Sequence, residues 1–298
     1  MREVVVISGK GGTGKTSLVA AFASLADGVV LADCDVDAAD LHLILEPTIV
    51  ERREFSGGSR ARVVTDLCAA CGKCREVCRF DAVFFDGPGN GGVEQTFRID
   101  PVACEGCGVC AWFCPAEAIE FAPAVNGEWF VSETRCGPMV HAELGVGGEN
   151  SGKLVSVVRA HARKIAEAQG LDVVLIDGSP GTGCPVIASV TGAHYAVVVT
   201  EPTLSGLHDL ERILELTRHF QVAAGVIVNK ADLNDGVARR IAESARRAGA
   251  QELGEIPYER AFTEAQIQRK TLLEYGDFEA GRLVSSTWEK VCRSIAEG

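Results

Sequence analysis

The chain has 298 residues, is 47% hydrophobic and carries a formal net charge of −12. That length holds one large α/β domain plus a small one. The acidic balance counts against a nucleic-acid partner, which wants clustered Lys and Arg for the phosphate backbone. No stretch approaches the ~18 continuous apolar residues of a membrane span. The N-terminus runs straight into a strand pattern, with no signal peptide visible. The expectation is a cytoplasmic protein without a membrane partner. Of twelve cysteines, eight fall in short regular spacings, which reads as metal chemistry in a reducing compartment.

Residues 4–7 are apolar and read as a buried strand, and residues 16–23 read as a helix. The turn between them, Gly9 to Thr16, fits G-x-x-x-x-G-K-[ST]. In this strand–turn–helix setting it reads as a phosphate-cradling loop. Gly9, Gly11, Gly12, Thr13 and Gly14 bring backbone N–H groups to phosphate oxygens, and the helix N-terminus adds positive potential. Lys15 reaches the β- and γ-phosphates, the Thr16 hydroxyl binds Mg²⁺, and Ser17 completes the binding set. A second lysine, Lys10, gives a loop that resembles the deviant Walker A of the MinD/Mrp/nitrogenase-iron-protein class of P-loop ATPases. That resemblance implies that Lys10 reaches across a dimer interface to the nucleotide of the other subunit. It therefore implies a nucleotide-sandwich homodimer and slow, switch-like, Mg-dependent ATP hydrolysis. The net charge counts against the chromosome-partitioning role of some relatives.

Residues 29–32 read as a second buried strand that ends in Asp33, Cys34, Asp35, Val36 and Asp37. Carboxylates at the C-terminal end of a strand beside such a loop face the phosphates and Mg²⁺. In the resembled family this is switch I: Asp35 matches the aspartate that positions the attacking water, and Asp33 supports the Mg²⁺. Asp37 or Asp40 reads as a helix N-cap before a short helix over 38–45. Residues 54–59 look like a linker.

From residue 60 to about residue 123 the chain repeats itself. Cys68, Cys71, Cys74 and Cys78 recur at a constant offset as Cys104, Cys107, Cys110 and Cys114. Each run is C-x₂-C-x₂-C-x₃-C, the two-cluster bacterial ferredoxin signature. Three thiolates of one loop hold three irons of a cubane, and the fourth cysteine points at the other cluster. Cys68, Cys71, Cys74 and Cys114 are thus assigned to one [4Fe–4S] cluster, and Cys104, Cys107, Cys110 and Cys78 to the second. Two zinc sites would suit the count but not the spacing. Arg79 stands where the pattern has proline after Cys78.

Residues 128–132 read as a strand, and 135–144 return to the main sheet. Residues 145–152 are a glycine-rich loop. Residues 147–153 resemble a second phosphate loop only superficially, lacking a preceding buried strand and the full spacing. A helix follows over 154–169. Residues 172–177 form a buried strand ending at Asp177, the Walker B position, which holds Mg²⁺ through water. The loop 178–183, with Gly181, reads as switch II, sensing the γ-phosphate. In the nitrogenase iron protein a cysteine seven residues beyond this aspartate binds a cubane that bridges the dimer. Cys184 stands at that offset, and Cys136 is the nearest candidate for the other ligand. The alternative is that Cys184 packs as a small hydrophobe. A C-x-x-C near the C-terminus, used by cluster-carrying cytosolic relatives, is absent; Cys292 is alone.

Strand 194–202, helix 205–220 and strand 222–228 lead to Asn229, Lys230, Ala231 and Asp232. N-K-x-D selects guanine in GTPases. In the resembled family the same asparagine reads adenine, which implies ATP, with Pro257 and Tyr258 flanking the base. Helix 236–248 and strand 251–256 complete the alternation. The last helix, 281–296, places Leu283, Val284, Trp288, Val291, Cys292 and Ile295 on one face for core packing.

Strands alternating with helices predict an α/β fold with a doubly wound, mostly parallel sheet. Into it is inserted a small α+β bacterial-type dicluster ferredoxin domain. The ATPase spans 1–53 and 124–298 and the ferredoxin 60–123. Proteins of this resemblance occur mainly in anaerobes. Three functions stand open: ATP-gated electron transfer to a redox partner, delivery of an iron–sulfur or related cluster to an apo-metalloprotein through a third, dimer-bridging cluster at Cys184, or a positioning switch with structural clusters.

Overall fold

The computed structural model describes residues 1–145 and 150–297. Residues 146–149 of the glycine-rich run, which include the start of the loop 147–153 that superficially resembles a second phosphate loop, lie outside the described residues. The strands in chain order are β1 (Arg2–Ser8), β2 (Val29–Cys34), β3 (Thr48–Phe55), β4 (Gly58–Val63), β5 (Val83–Gly87), β6 (Thr96–Ile99), β7 (Ile119–Ala124), β8 (Gly127–Thr134), β9 (Gly137–Leu144), β10 (Val173–Pro180), β11 (Tyr195–Thr200), β12 (Ala223–Asn229) and β13 (Gln251–Ile256). The chain divides into two compact units. One holds Met1–Arg53, Trp129–Glu143 and Ser151–Gly298, the other Glu54–Glu128 and Leu144–Asn150.

The first unit is built on a nine-stranded sheet in the order β13-β12-β11-β1-β10-β2-β9-β8-β3. From β13 to β9 the neighbours run parallel. Strands buried on both faces read as unbroken apolar runs, and Val4 to Ile7 of β1 are fully buried. Because β1 sits between β10 and β11, the chain winds outward from it in both directions. A crevice opens at the C-terminal ends of such central strands. On one face the helix Lys15–Leu25 packs Leu18, Val19 and Phe22 into the core, and Phe22 stacks on Trp288 of the helix Glu279–Glu297 at 5.1 Å. Elsewhere in the unit the buried Arg159 of the helix Ser151–Gln169 pairs with Glu3 of β1 at 2.8 Å.

Local expectations shift at the edge of this sheet. The helix expected over 38–45 is shorter, Leu41–Leu45, because a turn carries the chain from β2 to it. The linker expected over 54–59 is mostly strand: β3 ends at Phe55 and β4 starts at Gly58. β3 is exposed along most of its length and rich in Glu and Arg, so it has no buried face to announce it in the sequence. β8 and β9 form a hairpin around Arg135 and Cys136. The Arg135 guanidinium bonds to Glu274 at 2.6 Å and to the carbonyls of Ile44 and Arg269 at 3.0 and 3.1 Å.

The second unit pairs β4 with β7 and β5 with β6, both antiparallel. It is wider than residues 60–123, because β4–β7 pairing runs out to Gly58 and Ala124 and the Asn126 N–H closes on the Phe55 carbonyl at 2.9 Å. Its two halves repeat in backbone as in sequence. Left-handed residues occur at Ala70, Gly72 and Asp81 and again, at the offset separating Cys68 from Cys104, at Gly106, Gly108 and Glu117. Gly72 and Gly108 each start a four-residue helix, Lys73–Glu76 and Val109–Trp112. The small core includes Ala61, Val83, Phe97, Ile99 and Ala118 together with Cys68, Cys74 and Cys110.

Candidate functional site

The loop between β1 and the helix Lys15–Leu25 rims a cleft of about 390 Å³, within the ~300–1,000 Å³ usual for small-molecule sites. Gly11, Gly12, Thr13, Gly14, Lys15, Thr16 and Ser17 line it, with Asp35, Asn229 and Lys230. Two glycines are required by close approach. A Cβ on Gly14, whose φ is +87°, would lie 2.4 Å from Asn229 Nδ2, and one on Gly9 would lie 2.2 Å from Asp209 Cβ. Asn229 Nδ2 donates to the Thr13 carbonyl at 2.8 Å and so fixes the loop from β12. The Gly181 N–H donates to the Ser8 carbonyl at 2.8 Å, holding the start of the loop after β10 against β1.

Lys15 is buried among carboxylates. Its Nζ lies 2.5 Å from Asp177 Oδ1 and 3.4 Å from Asp35 Oδ2. Burial works against its charge, yet Asp177, Asp35 and Asp33 together hold its pKa above the ordinary lysine value. Burial lifts Asp33 well above the carboxylate range, with Asp177 adding to it. Burial also lifts Asp35 to about 6, against the opposing pull of Lys15. Asp33 accepts the backbone N–H groups of Asp35 and Leu41 at 3.1 and 3.3 Å. It shapes the turn that presents Asp35.

Two polar atoms here are buried with no hydrogen-bond partner, Asp177 Oδ2 and Thr13 Oγ1. Such orphans are costly and call for a ligand or ion. The Thr16 hydroxyl lies 3.4 Å from the same Lys15 Nζ that meets Asp177, and a free carboxylate oxygen with such a hydroxyl suits a hard, oxygen-seeking cation such as Mg²⁺. The open loop N–H groups suit phosphate. The residues present therefore fit a magnesium nucleotide.

Other expected residues lie differently. Lys10 turns away from the cleft onto Glu201, with Nζ 2.5 Å from Oε1. Asp232 accepts the Tyr258 N–H at 2.5 Å and, with Pro257, lines a neighbouring cavity; Tyr258 is the one that lines the cleft. Cys184 is exposed at the first position of the helix Cys184–Val190, following the C-terminal end of β10, so it does not pack as a buried hydrophobe. Cys136 sits just before β9, beside the start of β2, and packs against the core. The two cysteines thus lie at opposite ends of the parallel strands and are not brought together. Phe262 and Gln266 carry no signal in the sequence that marks them as site residues. Gln266 donates to Ser17 Oγ at 2.6 Å, and Phe262 lines the cleft.

In the second unit the cysteines gather in two cavities. Cys68, Cys71, Cys74 and Cys114 line one, and Cys78, Cys104, Cys107 and Cys110 the other. Among the described residues, no three Cys, His, Asp or Glu side chains converge as one metal ion would require. Burial pushes the Cys74 thiol up to about 11 and raises Cys110 as well. Thiols so placed stay neutral unless a metal takes the sulfur. The Ala118 N–H points at Cys114 Sγ at 3.3 Å. Arg79 follows Cys78 without entering either cavity lining. Four thiols spread around a cavity fit a cubane, which takes one thiolate at each iron corner, better than a tetrahedral single ion.

A glycine-rich loop between a central parallel strand and a helix, backed by strand-end carboxylates, defines a P-loop nucleotide-binding protein. The chain belongs to the CobQ/CobB/MinD/ParA nucleotide binding domain family, whose model matches residues 4–272. It shares its fold with the cell division ATPase MinD of Pyrococcus furiosus, at 16% identity and a TM-score of 0.57 over 98% of each chain. The septum site-determining protein MinD of Pyrococcus horikoshii, solved with Mg-ADP, is likewise similar, at 16% identity and a TM-score of 0.56 over 97% of this chain and 95% of that one. Protein MJ0578 of Methanocaldococcus jannaschii is 34% identical over 243 residues, 78% of this chain and 79% of its own length. Ferredoxin-1 of Caulobacter vibrioides is 37% identical over 71 residues, 22% of this chain and 57% of its own. Among the described residues no helix is long and apolar enough to cross a membrane.

Proposed function

We propose that this chain is an ATP-hydrolysing iron–sulfur protein. It works as a nucleotide-switched homodimer that couples ATP to electron transfer to a redox partner. The reading rests above all on one observation: two four-cysteine cavities and a P-loop cleft occur in one chain. The ferredoxin likeness over 71 residues supports it. Two [4Fe–4S] clusters, when bound, supply one-electron redox chemistry. Lys15 and the loop N–H groups bind the phosphates, and Asp177 with Thr16 holds the Mg²⁺. Asp35 orients the attacking water. Its folded pKa of about 6 leaves it mostly ionised at neutral pH, as accepting a hydrogen bond from that water requires.

The test is iron and EPR on anaerobically purified protein. About eight irons per chain are expected from two cubanes. Cys71→Ser should remove one cluster's signal and leave the other. Mg-ATP, compared with Mg-ADP, should change the rate at which reduced protein passes electrons to a viologen acceptor. Zinc in place of iron, or two intact signals in Cys71→Ser, would overturn the cluster assignment. Equal rates with both nucleotides would remove the coupling. A second reading, cluster delivery through a dimer-bridging cubane, draws on the exposure of Cys184. With Cys136 at the other end of the parallel strands, it leaves one thiolate per chain for that cubane.

A further inference from the structure

Glu201 follows β11 immediately and is not among the residues that line the nucleotide cleft. Its carboxylate is shared by two lysines. Oε1 lies 2.5 Å from Lys10 Nζ and Oε2 3.2 Å from Lys230 Nζ. Lys230 Nζ also donates to the Gly12 carbonyl at 2.9 Å, inside the phosphate loop. Lys10 Nζ has two further partners, the hydroxyls of Thr203 and Ser205, each at 3.4 Å. An ammonium has three donors and no acceptor. All three donors of Lys10 therefore have partners within its own chain, on the segment that opens the helix Leu204–His219.

From this geometry we propose that Glu201 is a positioning residue that stores Lys10 in its own subunit until nucleotide-driven dimer closure draws it out. The proposal rests on the reading that ATP closes a homodimer in which Lys10 serves the partner's nucleotide. The second lysine makes release inexpensive. When Lys10 leaves, Glu201 keeps Lys230 and is not left as a half-buried unpaired charge, whose cost would otherwise oppose closure. A triphosphate, with more charge than one carboxylate, outcompetes Glu201 for the ammonium. Glu201 therefore sets how much nucleotide is needed before the dimer forms, while contributing nothing to nucleotide binding by one subunit.

The experiment compares wild type with Glu201→Gln, as intact protein, by sedimentation velocity across a titration of Mg²⁺ and the non-hydrolysable analogue AMPPNP. ADP affinity of the monomer is measured by calorimetry in parallel. Losing a partly exposed ion pair should lower the AMPPNP concentration for half-maximal dimer about five-fold. ADP affinity should stay within about two-fold. Ser205→Ala, which removes one of the weaker partners of Lys10, should shift dimerisation the same way by about two-fold. It carries the test if Glu201→Gln does not fold. Dimerisation at unchanged AMPPNP concentration in a folded variant overturns the storage role while leaving the dimer reading intact. An equal shift in ADP affinity also overturns it, because Glu201 would then act on the cleft through Lys230. A wild type that stays monomeric at saturating AMPPNP removes the dimer reading, and this proposal with it.

Discussion

Lys15→Met removes the ammonium that faces Asp177 at 2.5 Å and Asp35 at 3.4 Å. Methionine keeps the long unbranched stem, so packing at the helix start changes little. The charge balance changes a great deal. Asp33 and Asp177 are fully buried and Asp35 nearly so. Removing one partner of a buried pair costs ~3–5 kcal/mol. The lower end, about 3 kcal/mol, applies here because a carboxylate can take up a proton in place of the lost cation. Burial already raises Asp33 well above its usual range and Asp35 to about 6. The sign follows from those raised values. These carboxyls bind protons more tightly in the folded protein than in the unfolded chain. Each therefore adds stability as pH falls toward its folded pKa, and the variant needs that proton more than wild type does. Its deficit should shrink from about pH 8 to about pH 6, by up to ~1.4 kcal/mol per pH unit for each proton gained. Urea unfolding of nucleotide-free protein reads this out through Trp288, stacked on Phe22 of the helix that starts with Lys15. A variant as stable as wild type, or equally destabilised at both pH values, refutes the reasoning. Calorimetry on the same variant should show no ATP binding, and full affinity would refute the site itself.

Burial holds His141 down to about 4, with His42 adding to the effect, and its Nε2 lies 2.9 Å from Ser132 Oγ. An unfolded histidine takes its proton near ~6.5, so stability present above that pH should fall by about 3 kcal/mol as pH drops toward 4. His141→Gln should flatten that slope, and an unchanged slope in chemical denaturation would assign it elsewhere. Cys184→Ala should leave iron per chain unchanged, since Cys136 is not brought to it; losing about two irons per chain would instead reveal a cubane shared by two subunits.

The parts legible in the sequence were those where chemistry and local geometry coincide. The phosphate loop is contiguous, and its glycines sit where φ or close approach demands them. Asp35 and Asp177 are legible because each closes a buried apolar run, although Asp35 follows the end of β2 and β10 continues past Asp177 to Pro180, beyond the strand end expected at 177. The two cysteine quartets followed from an internal repeat that the backbone shares, down to matching left-handed residues at Asp81 and Glu117. What stayed hidden depends on partners far away in the chain. Glu201 meets Lys10 only because β11 lies beside β1. The Arg135 clamp needs the carbonyls of Ile44 and Arg269, which no side-chain pattern reports. β3 carries no such signal, because a solvated edge strand with Glu51, Arg52, Arg53 and Glu54 in succession has neither a buried run nor an apolar face. Asp33, expected to support the Mg²⁺, also accepts the backbone N–H groups of Asp35 and Leu41, contacts that no side-chain pattern reports.

The chain leaves the nine-stranded sheet at the end of β3 and re-enters it at β8, the strand next to β3 in that sheet. At that threshold the Phe55 carbonyl and the Asn126 N–H are hydrogen-bonded at 2.9 Å. Everything between them is a detour whose two ends already touch. A tight turn could join those ends without moving either strand, as a two-residue loop joins a hairpin. The cysteine-bearing segment is in this sense a cassette: it can be gained, lost or exchanged with no change to the register of the sheet that carries the nucleotide cleft.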